Sequence, residues 1–320
     1  MTQEGGRERC DESLIAPSSG PKHPTSFTHL SAKPDTMETS YILTTACPDK
    51  QGIVAAISGF LADSGCSVDD AAFFSDPESG RFYGRSVFRI DREDVSAEMV
   101  GSWFGQVAHK FDMEWEIFDT AAPLKVMIMV SKFDHCLNDL LYRYRIGALP
   151  MQVTAIVSNH PDAKPLADAA GIPYHHIPVT KDTKPDAEAA LFKLVEDTGT
   201  DLVVLARYMQ VLSDDLCRKL DKRAINIHHS FLPGFKGAKP YHQAFARGVK
   251  LIGATAHFVT ADLDEGPIIE QEVERVDHTT MPGDMVAIGR DLESVALARA
   301  VRYVLERRVL LNGSKTVVFR

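Results

Sequence analysis

The sequence predicts an α/β protein in two parts, a small βαββαβ unit followed by a doubly wound, mostly parallel sheet. From residue 124 onwards, strand-like and helix-like segments alternate, which is the order that builds a parallel sheet covered by helices. Residues 202–206 are apolar throughout, as expected of a strand buried on both faces. Between residues 41 and 118, two helical patterns separate four strand-like runs.

Length and composition limit the classes of protein. A chain of 320 residues with 44% hydrophobic and 25% charged residues is long enough for two globular domains. The net charge of −9 disfavours nucleic acid as a partner, since that requires a concentrated basic surface. No apolar run approaches the length of a membrane span, so no membrane contact is expected. The five cysteines are far apart, which indicates a reduced, cytoplasmic protein.

Residues 1–36 are expected to form a disordered tail, because they are rich in Ser, Pro, Gly and Thr and lack apolar periodicity. Whether this tail is native, a tag or a targeting segment stays open. Acidic residues such as Glu4 and Glu8 disfavour a mitochondrial transit peptide.

The first folded unit is predicted at residues 40–120. A strand at 41–46 leads into a turn in which Asp49 is the expected N-cap of the first helix, and Gly65 is expected to end that helix. Two strands, a helix and a last strand are expected at residues 67–74, 81–90, 96–111 and 113–118. The order βαββαβ is that of a ferredoxin-like fold.

The second unit is predicted at residues 124–320. Strands are expected at residues 125–131, 152–158, 174–179, 202–206, 224–228, 251–259 and 267–276. Helices are expected at residues 135–144, 163–170, 186–197 and 213–220. A long helix at 282–307 is predicted to pack on the sheet through Ile288, Leu292 and Val295, which are spaced by four and three residues.

Polar residues stand in the predicted strand at 224–228. Because side chains alternate between the two faces of a strand, Asn226 and His228 share one face. Burying such groups without partners would cost about 1–3 kcal/mol each. Their expected place is therefore the carboxyl end of the strand, where open α/β sheets bind ligands. The acidic loop that follows the strand at 251–259 adds Asp264, and these three side chains are the predicted reaction centre.

Other histidines are weaker candidates. His229, His242 and His278 have no cysteine partners and no HExxH pattern on a helix, so no metal is expected. His257 either supports the reaction centre or is a structural histidine, and both interpretations stay open.

The pattern resembles the signature of the folate-dependent formyltransferase and formyl-hydrolase superfamily, Asn-x-His on one strand and then His-x6-Asp before a Gly-Pro loop. The matching residues are Asn226, His228, His257 and Asp264. Within that superfamily the chain is most similar to the formyltetrahydrofolate deformylase family. The strings that carry this similarity lie at residues 226–233, 237–243, 264–269, 278–279 and 289–293.

This resemblance implies hydrolysis of 10-formyltetrahydrofolate to formate and tetrahydrofolate, which supplies formate to purine biosynthesis and balances the one-carbon pool. The folate is then a substrate, and no cofactor is expected. Asn226 would donate to the formyl oxygen, His228 would deliver a proton, and Asp264 would hold His228 charged or activate the water. The division of roles between His228 and Asp264 stays open.

The resemblance also implies a folate site. Its residues are Met209, Val211, Leu212, Ala261 and Asp262. The first three would bind the pteridine through their backbone, and the loop that contains the other two would close over it. Gln210 stands where many superfamily members have arginine, so its side chain is not assigned a contact.

Residues 40–120 resemble an ACT domain, an amino-acid-sensing module, mainly through a CPDxxG turn at residues 47–52. This implies glycine and methionine as effectors and assembly into a homo-oligomer, a dimer or a tetramer. A docking domain without a ligand is the alternative.

Two other functions stay open, a formyltransferase that uses an amine acceptor and a non-catalytic folate or amino-acid sensor. Glycinamide ribonucleotide transformylases bind the acceptor's phosphate on a Gly-rich loop after their first strand. Residues 130–137 contain no glycine here and include Asp134, which disfavours a phosphate site and favours water as the acceptor.

Overall fold

The computed structural model of the chain describes residues 39–232 and 240–320. The predicted tail at 1–36 lies outside the described residues. Residues 39–320 cluster as one unit, so the predicted division at 40–120 and 124–320 stays a prediction. Among the described helices, none is both long and apolar enough to cross a membrane.

The N-terminal part has the predicted element order. Its elements are β1 (Ser40–Pro48), α1 (Ile53–Asp63), β2 (Cys66–Asp76), β3 (Arg81–Ile90), α2 (Ala97–Phe111) and β4 (Glu114–Asp119). The strands pair antiparallel in the order β2-β3-β1-β4, which places β3 between the two strands that α1 connects. Ile57 of α1 and Phe104 of α2 are fully buried in the core beneath this sheet.

The predicted N-cap of α1 is wrong. The helix begins at Ile53 after Gly52, whose φ of 94° is left-handed and has no steric cost for glycine. The N–H of Asp49 instead donates to the Gly80 carbonyl at 2.8 Å, which fixes the turn against the β2–β3 hairpin. Gly65, with a φ of 74°, follows the end of the helix as predicted.

The second sheet contains seven strands, β5 (Leu124–Val130), β6 (Met151–Ser158), β7 (Tyr174–His176), β8 (Leu202–Leu205), β9 (Ala224–His228), β10 (Leu251–Phe258) and β11 (Ile268–Arg275). Their order is β11-β10-β9-β8-β5-β6-β7, parallel from β9 to β7 and antiparallel at β10 and β11. β7 is shorter than predicted, because Pro178 has no N–H to continue the ladder.

Helices cover both faces of this sheet. They are α3 (His135–Arg145), α4 (Lys164–Ala170), α5 (Lys184–Thr198), α6 (Asp214–Lys219), α7 (Pro240–Arg247) and α8 (Pro282–Leu305). Alternation along β5 divides the core, since Val126 and Ile128 belong to one cluster and Met127 and Met129 to the other. The sequence did not predict α7.

The helix α8 packs on the sheet as predicted, and of the three predicted residues Ile288 and Leu292 pack against the buried core clusters. Ile288, Leu292 and Val295 are only partly buried. The buried face is centred on Gly289 and Glu293. A Cβ atom at Gly289 would lie 2.1 Å from Cζ of Tyr241, so glycine allows α7 to approach the helix closely. Because Glu293 lies on this buried face, its carboxylate points into the protein.

A C-terminal hairpin joins the two sheets. It consists of β12 (Val309–Asn312) and β13 (Lys315–Val318). The Asn312 side chain donates to Asp76 at 2.7 Å, and Lys315 pairs with Glu78 at 2.5 Å. Nε of the buried Arg85 donates to the Glu306 carbonyl, 3.1 Å away, just after α8.

Candidate active site

A cavity of about 540 Å³ opens where β8 and β9 end and the loop after β10 folds over them. Asn226, His228 and Asp264 all line it, as does His257. The structure thus brings together the predicted reaction centre, although its catalytic roles stay predictions.

His228 and Asp264 form the central contact. Nδ1 of His228 lies 3.1 Å from Oδ2 of Asp264, and both side chains are almost completely buried. Because Nδ1 donates to the carboxylate, the second ring nitrogen, Nε2, is left to meet a substrate. It is buried and makes no hydrogen bond to any residue in the described part of the chain.

His257 holds the amide of Asn226. Its Nδ1 donates to the Phe258 carbonyl at 2.8 Å, so Nε2 faces the cavity side. The Asn226 amide nitrogen donates to this Nε2 at 3.3 Å, and an amide nitrogen has a second hydrogen for another acceptor. Asp264 Oδ1 lies 3.6 Å away from the same Nε2. His257 therefore contacts both Asn226 and Asp264 directly.

The loop that contains Asp264 is held in a constrained shape. Asp264 has a φ of 57°, an uncommon conformation for a non-glycine residue and one that clusters at functional sites. A Cβ atom at Gly266 would lie 1.8 Å from the Phe258 carbonyl oxygen, so glycine is required for the loop to return against β10. Burial acts to raise the pKa of Asp264, but the contacts with His228 and His257 together outweigh it, and the pKa is lowered well below its usual range.

A second cluster of buried polar groups lies beside these residues. Arg207 Nε is 3.3 Å from Oε2 of Glu293, which also accepts from His135 Nε2 at 2.7 Å. The Tyr241 hydroxyl donates to Oε1 of Glu293 at 3.0 Å. Arg207 also donates to Nδ1 of His229, and the His229 ring stacks on His228 with centroids 5.0 Å apart.

The predicted folate residues lie at the mouth of the cavity. Met209, Val211, Leu212 and Ala261 line it, and the side chains of Met209 and Val211 are exposed. The N–H of Met209 donates to Ser131 Oγ at 2.9 Å, so a backbone contact from Met209 to a ligand would have to use its carbonyl. Asp262 is exposed and is not one of the lining residues, so its contact with folate stays a prediction.

Comparisons with known proteins agree with this architecture. The sequence profile described as Formyl transferase matches residues 124–301. A formyltetrahydrofolate deformylase from Corynebacterium sp. (strain P-1) is 53% identical over 280 residues, covering 88% of this chain and 98% of that protein. The chain belongs to the formyltetrahydrofolate deformylase family.

Solved structures support the same membership. The formyltetrahydrofolate deformylase from Burkholderia mallei ATCC 23344 aligns with a TM-score of 0.83 and 56% identity, over 88% of this chain and 100% of that one. Glycinamide ribonucleotide transformylase 1 from Symbiobacterium toebii aligns with a TM-score of 0.58 and 31% identity, over 62% of this chain and 95% of that one. The fold is therefore that of the formyltransferases with an added N-terminal antiparallel sheet.

In this member of the deformylase family, three side chains could be considered for a metal. Ligand atoms of His135, Cys136 and Glu293 lie within 4.8 Å of one another. Burial, followed by the charge of Glu293, raises the pKa of the Cys136 thiol, which disfavours the thiolate that binds metals. Glu293 is also paired with the Arg207 guanidinium. These groups fit a hydrogen-bonded cluster better than a metal site.

The second cluster was not predicted from the sequence. A charged residue in a sequence is normally interpreted as solvent-exposed, and Arg207 and Glu293 lie far apart along the chain. One signal was available: Glu293 follows Gly289 by four residues, so both lie on one helical face. The spacing does not show which face of the helix is buried, so it could not identify the pairing of Glu293 with Arg207.

Proposed function

We propose that this chain hydrolyses 10-formyltetrahydrofolate to formate and tetrahydrofolate. The observation that carries the proposal is the contact between His228 and Asp264, which leaves His228 Nε2 buried and without a hydrogen bond to any described residue. The Asn226 side chain lines the same cavity. Membership of the deformylase family supports the choice of substrate. The cavity of about 540 Å³ is within the size range of small-molecule sites.

In the proposed reaction, water attacks the formyl carbon, and the carbonyl oxygen gains negative charge. The free hydrogen of the Asn226 amide stabilises that oxygen, since a preorganised donor acts most strongly where charge develops. The carbon–nitrogen bond then breaks, the leaving nitrogen takes a proton from Nε2 of His228, and the proton that the water loses restores the imidazolium. Asp264, ionised at neutral pH because its pKa is lowered, holds His228 and orients the water.

The residues at the start of α3 favour water, rather than a phosphorylated amine, as the acceptor of the formyl group. Asp134 is the N-cap residue of this helix, so a carboxylate stands at the helix end where a phosphate would otherwise be attracted. The N-cap position also has no glycine-rich loop before it.

An assay of formate release tests the proposal. Purified protein given 10-formyltetrahydrofolate and no amine should release formate and tetrahydrofolate in equal amounts over many turnovers. Strict dependence on an added amine would instead identify a formyltransferase. Saturable folate binding without turnover would identify a sensor, and either result rejects hydrolysis.

We further propose glycine and methionine as effectors that bind the ACT-like N-terminal part, and a homo-oligomer, either dimer or tetramer. Both proposals rest on the resemblance of residues 40–120 to ACT domains. Formate release with and without each amino acid tests the effectors, and light scattering tests the oligomer. If neither amino acid changed the rate of formate release, the alternative of a docking domain without a ligand would be favoured.

A role in supplying formate to purine biosynthesis, and a cytoplasmic location, are proposed on the same basis. The four cysteines in the described part of the chain, Cys47, Cys66, Cys136 and Cys217, are free, which supports a reducing compartment. Deletion of the gene should create a requirement for formate or purines under conditions in which no other source of formate is present. Unchanged growth would reject the purine role.

A further inference from the structure

Arg207 has an unusual conformation next to the proposed proton donor. Its φ of 64° is left-handed, which is costly for a residue other than glycine and persists only where the surroundings hold it. Its side chain is only 10% exposed. The guanidinium hydrogen bonds to Nδ1 of His229, whose ring lies on His228 with the two planes 23° apart. The strained backbone thus directs a cation at a histidine stacked on His228.

The donor properties of arginine fix the state of His229. A guanidinium has only donors, so Nδ1 of His229 must present its lone pair to Arg207. The ring proton therefore lies on Nε2. Protonation of His229 would place an N–H against an N–H and one cation against another, so the contact excludes the imidazolium form.

We propose that Arg207 is a positioning residue that keeps His229 neutral, so that the stacked pair of imidazoles takes up a single proton, on His228. Arg207, which also lines the cavity, acts on His228 through His229. The inference rests on the proposed role of His228 for its catalytic consequence, but the state of His229 can be measured independently of turnover.

Among the described residues, the charged groups that act most strongly on His229 come from four parts of the fold. Arg207 follows β8, His228 ends β9, Asp264 lies after β10, and Glu293 lies on α8. Burial is the largest influence and lowers the pKa of His229, Arg207 and His228 lower it further, and the two carboxylates raise it, with a result of about 4. Without Arg207, the strongest cationic influence on the ring would be gone. The two carboxylates would then raise the pKa of His229 against burial and His228 alone.

Nitrogen-15 NMR of the wild-type protein tests the inference, and His229→Gln serves only to assign the ring signals. The ring signals of His229, identified by their loss in His229→Gln, should show the Nε2–H tautomer and no titration between about pH 5 and 8. A His229 ring that titrates near its ordinary pKa of about 6.5 would overturn the proposal. This result does not depend on whether the protein hydrolyses formyl-folate.

Arg207→Met tests the cause. The pKa of His229 should then rise from its wild-type value towards about 6.5, although burial still holds it lower. Arg290→Met is the matched control, because Arg290 lies over the same Phe133 ring as Arg207, at 5.8 Å and 5.6 Å respectively. It should leave the His229 titration unchanged. An Arg207→Met protein in which the pKa of His229 is unchanged would contradict the proposal.

The pH profile of kcat/KM separates positioning from a structural role. For each protein, kcat/KM at one pH unit below the His229 pKa of the variant is divided by its own value at pH 8. This ratio should be about tenfold lower for Arg207→Met than for the wild type. The double variant Arg207→Met/His229→Gln should regain the wild-type profile, since no second ring can be protonated. A loss that is equal at every pH, and is not relieved in the double variant, would assign Arg207 a structural role only.

Discussion

Nδ1 of His228 lies 3.1 Å from Oδ2 of Asp264, and this contact determines the state of the proposed site. His228 ends β9, whereas Asp264 lies in the loop after β10, the neighbouring antiparallel strand. The carboxylate fixes which ring nitrogen of His228 donates to it and leaves Nε2 for the substrate. Four substitutions and one pH experiment follow from this arrangement.

Asp264→Asn should lower kcat/KM for formate release by roughly 10²–10⁴-fold, because the amide has no charge to hold the imidazole in its protonated form. Asp168→Asn, at an exposed ion pair with Lys164 on α4, serves as the control and should leave the rate unchanged. Steady-state kinetics check both variants. An active Asp264→Asn enzyme would remove Asp264 from the mechanism.

Asn226→Ala should lower kcat by about 10²–10³-fold with a smaller change in KM, because its amide is proposed to stabilise charge that exists only in the transition state. Asn138→Ala removes an exposed amide that bonds to the Asp134 carbonyl on α3, and should not change kcat. If Asn226→Ala raised KM alone, the amide would serve binding rather than catalysis.

Gly266→Ala should disturb the site through the backbone. The added Cβ would lie 1.8 Å from the Phe258 carbonyl oxygen, so the loop that contains Asp264 must shift. A displacement of about 1 Å can cost about 10²-fold in rate. Gly283→Ala near the start of α8 is the control, because nothing lies within 4 Å of its added methyl group. Equal kcat values for the two variants would contradict this prediction.

Glu293→Ala should destabilise the fold by about 3–5 kcal/mol, because it leaves Arg207 as a buried charge without its carboxylate partner. Tyr241→Phe removes only the hydrogen bond to the same carboxylate and should cost about 1–3 kcal/mol. Chemical denaturation, monitored by circular dichroism, measures both free energies of unfolding. A smaller loss in Glu293→Ala than in Tyr241→Phe would show that the ion pair is not stabilising.

The protein should lose stability in acid. Burial opposes the shift, but hydrogen bonds from His228 to Asp264 and from His135 to Glu293 lower the pKa of both carboxyl groups. A carboxyl group whose pKa is lower in the folded than in the unfolded state stabilises the protein at pH values above its unfolded-state pKa. This stabilisation is lost as the pH falls towards the folded-state pKa. The free energy of unfolding should therefore decrease below about pH 4. Asp264→Asn should weaken this dependence, and an unchanged slope would argue against the lowered pKa.

Much of the framework follows from sequence periodicity. The bounds of β3 and β9 agree with the predicted ranges, and the alternation that put Asn226 and His228 on one face is a local property of any strand. The helix start at Asp49 was wrong because glycine at residue 52 could begin the helix without a side-chain cap. That choice depended on the hairpin carbonyl of Gly80, which lies elsewhere in the chain.

The sequence by itself determined the fold class, the order of the elements other than α7, and the three residues of the proposed reaction centre, because periodicity and motif spacing are encoded locally. Only the tertiary structure decided that Arg207 contacts Glu293 and His229, and that α8 turns Glu293 inward. Their burial and pairing arise when β8, β9 and α8 pack together. A charged side chain, viewed along the chain alone, carries no sign of the partner that will neutralise it.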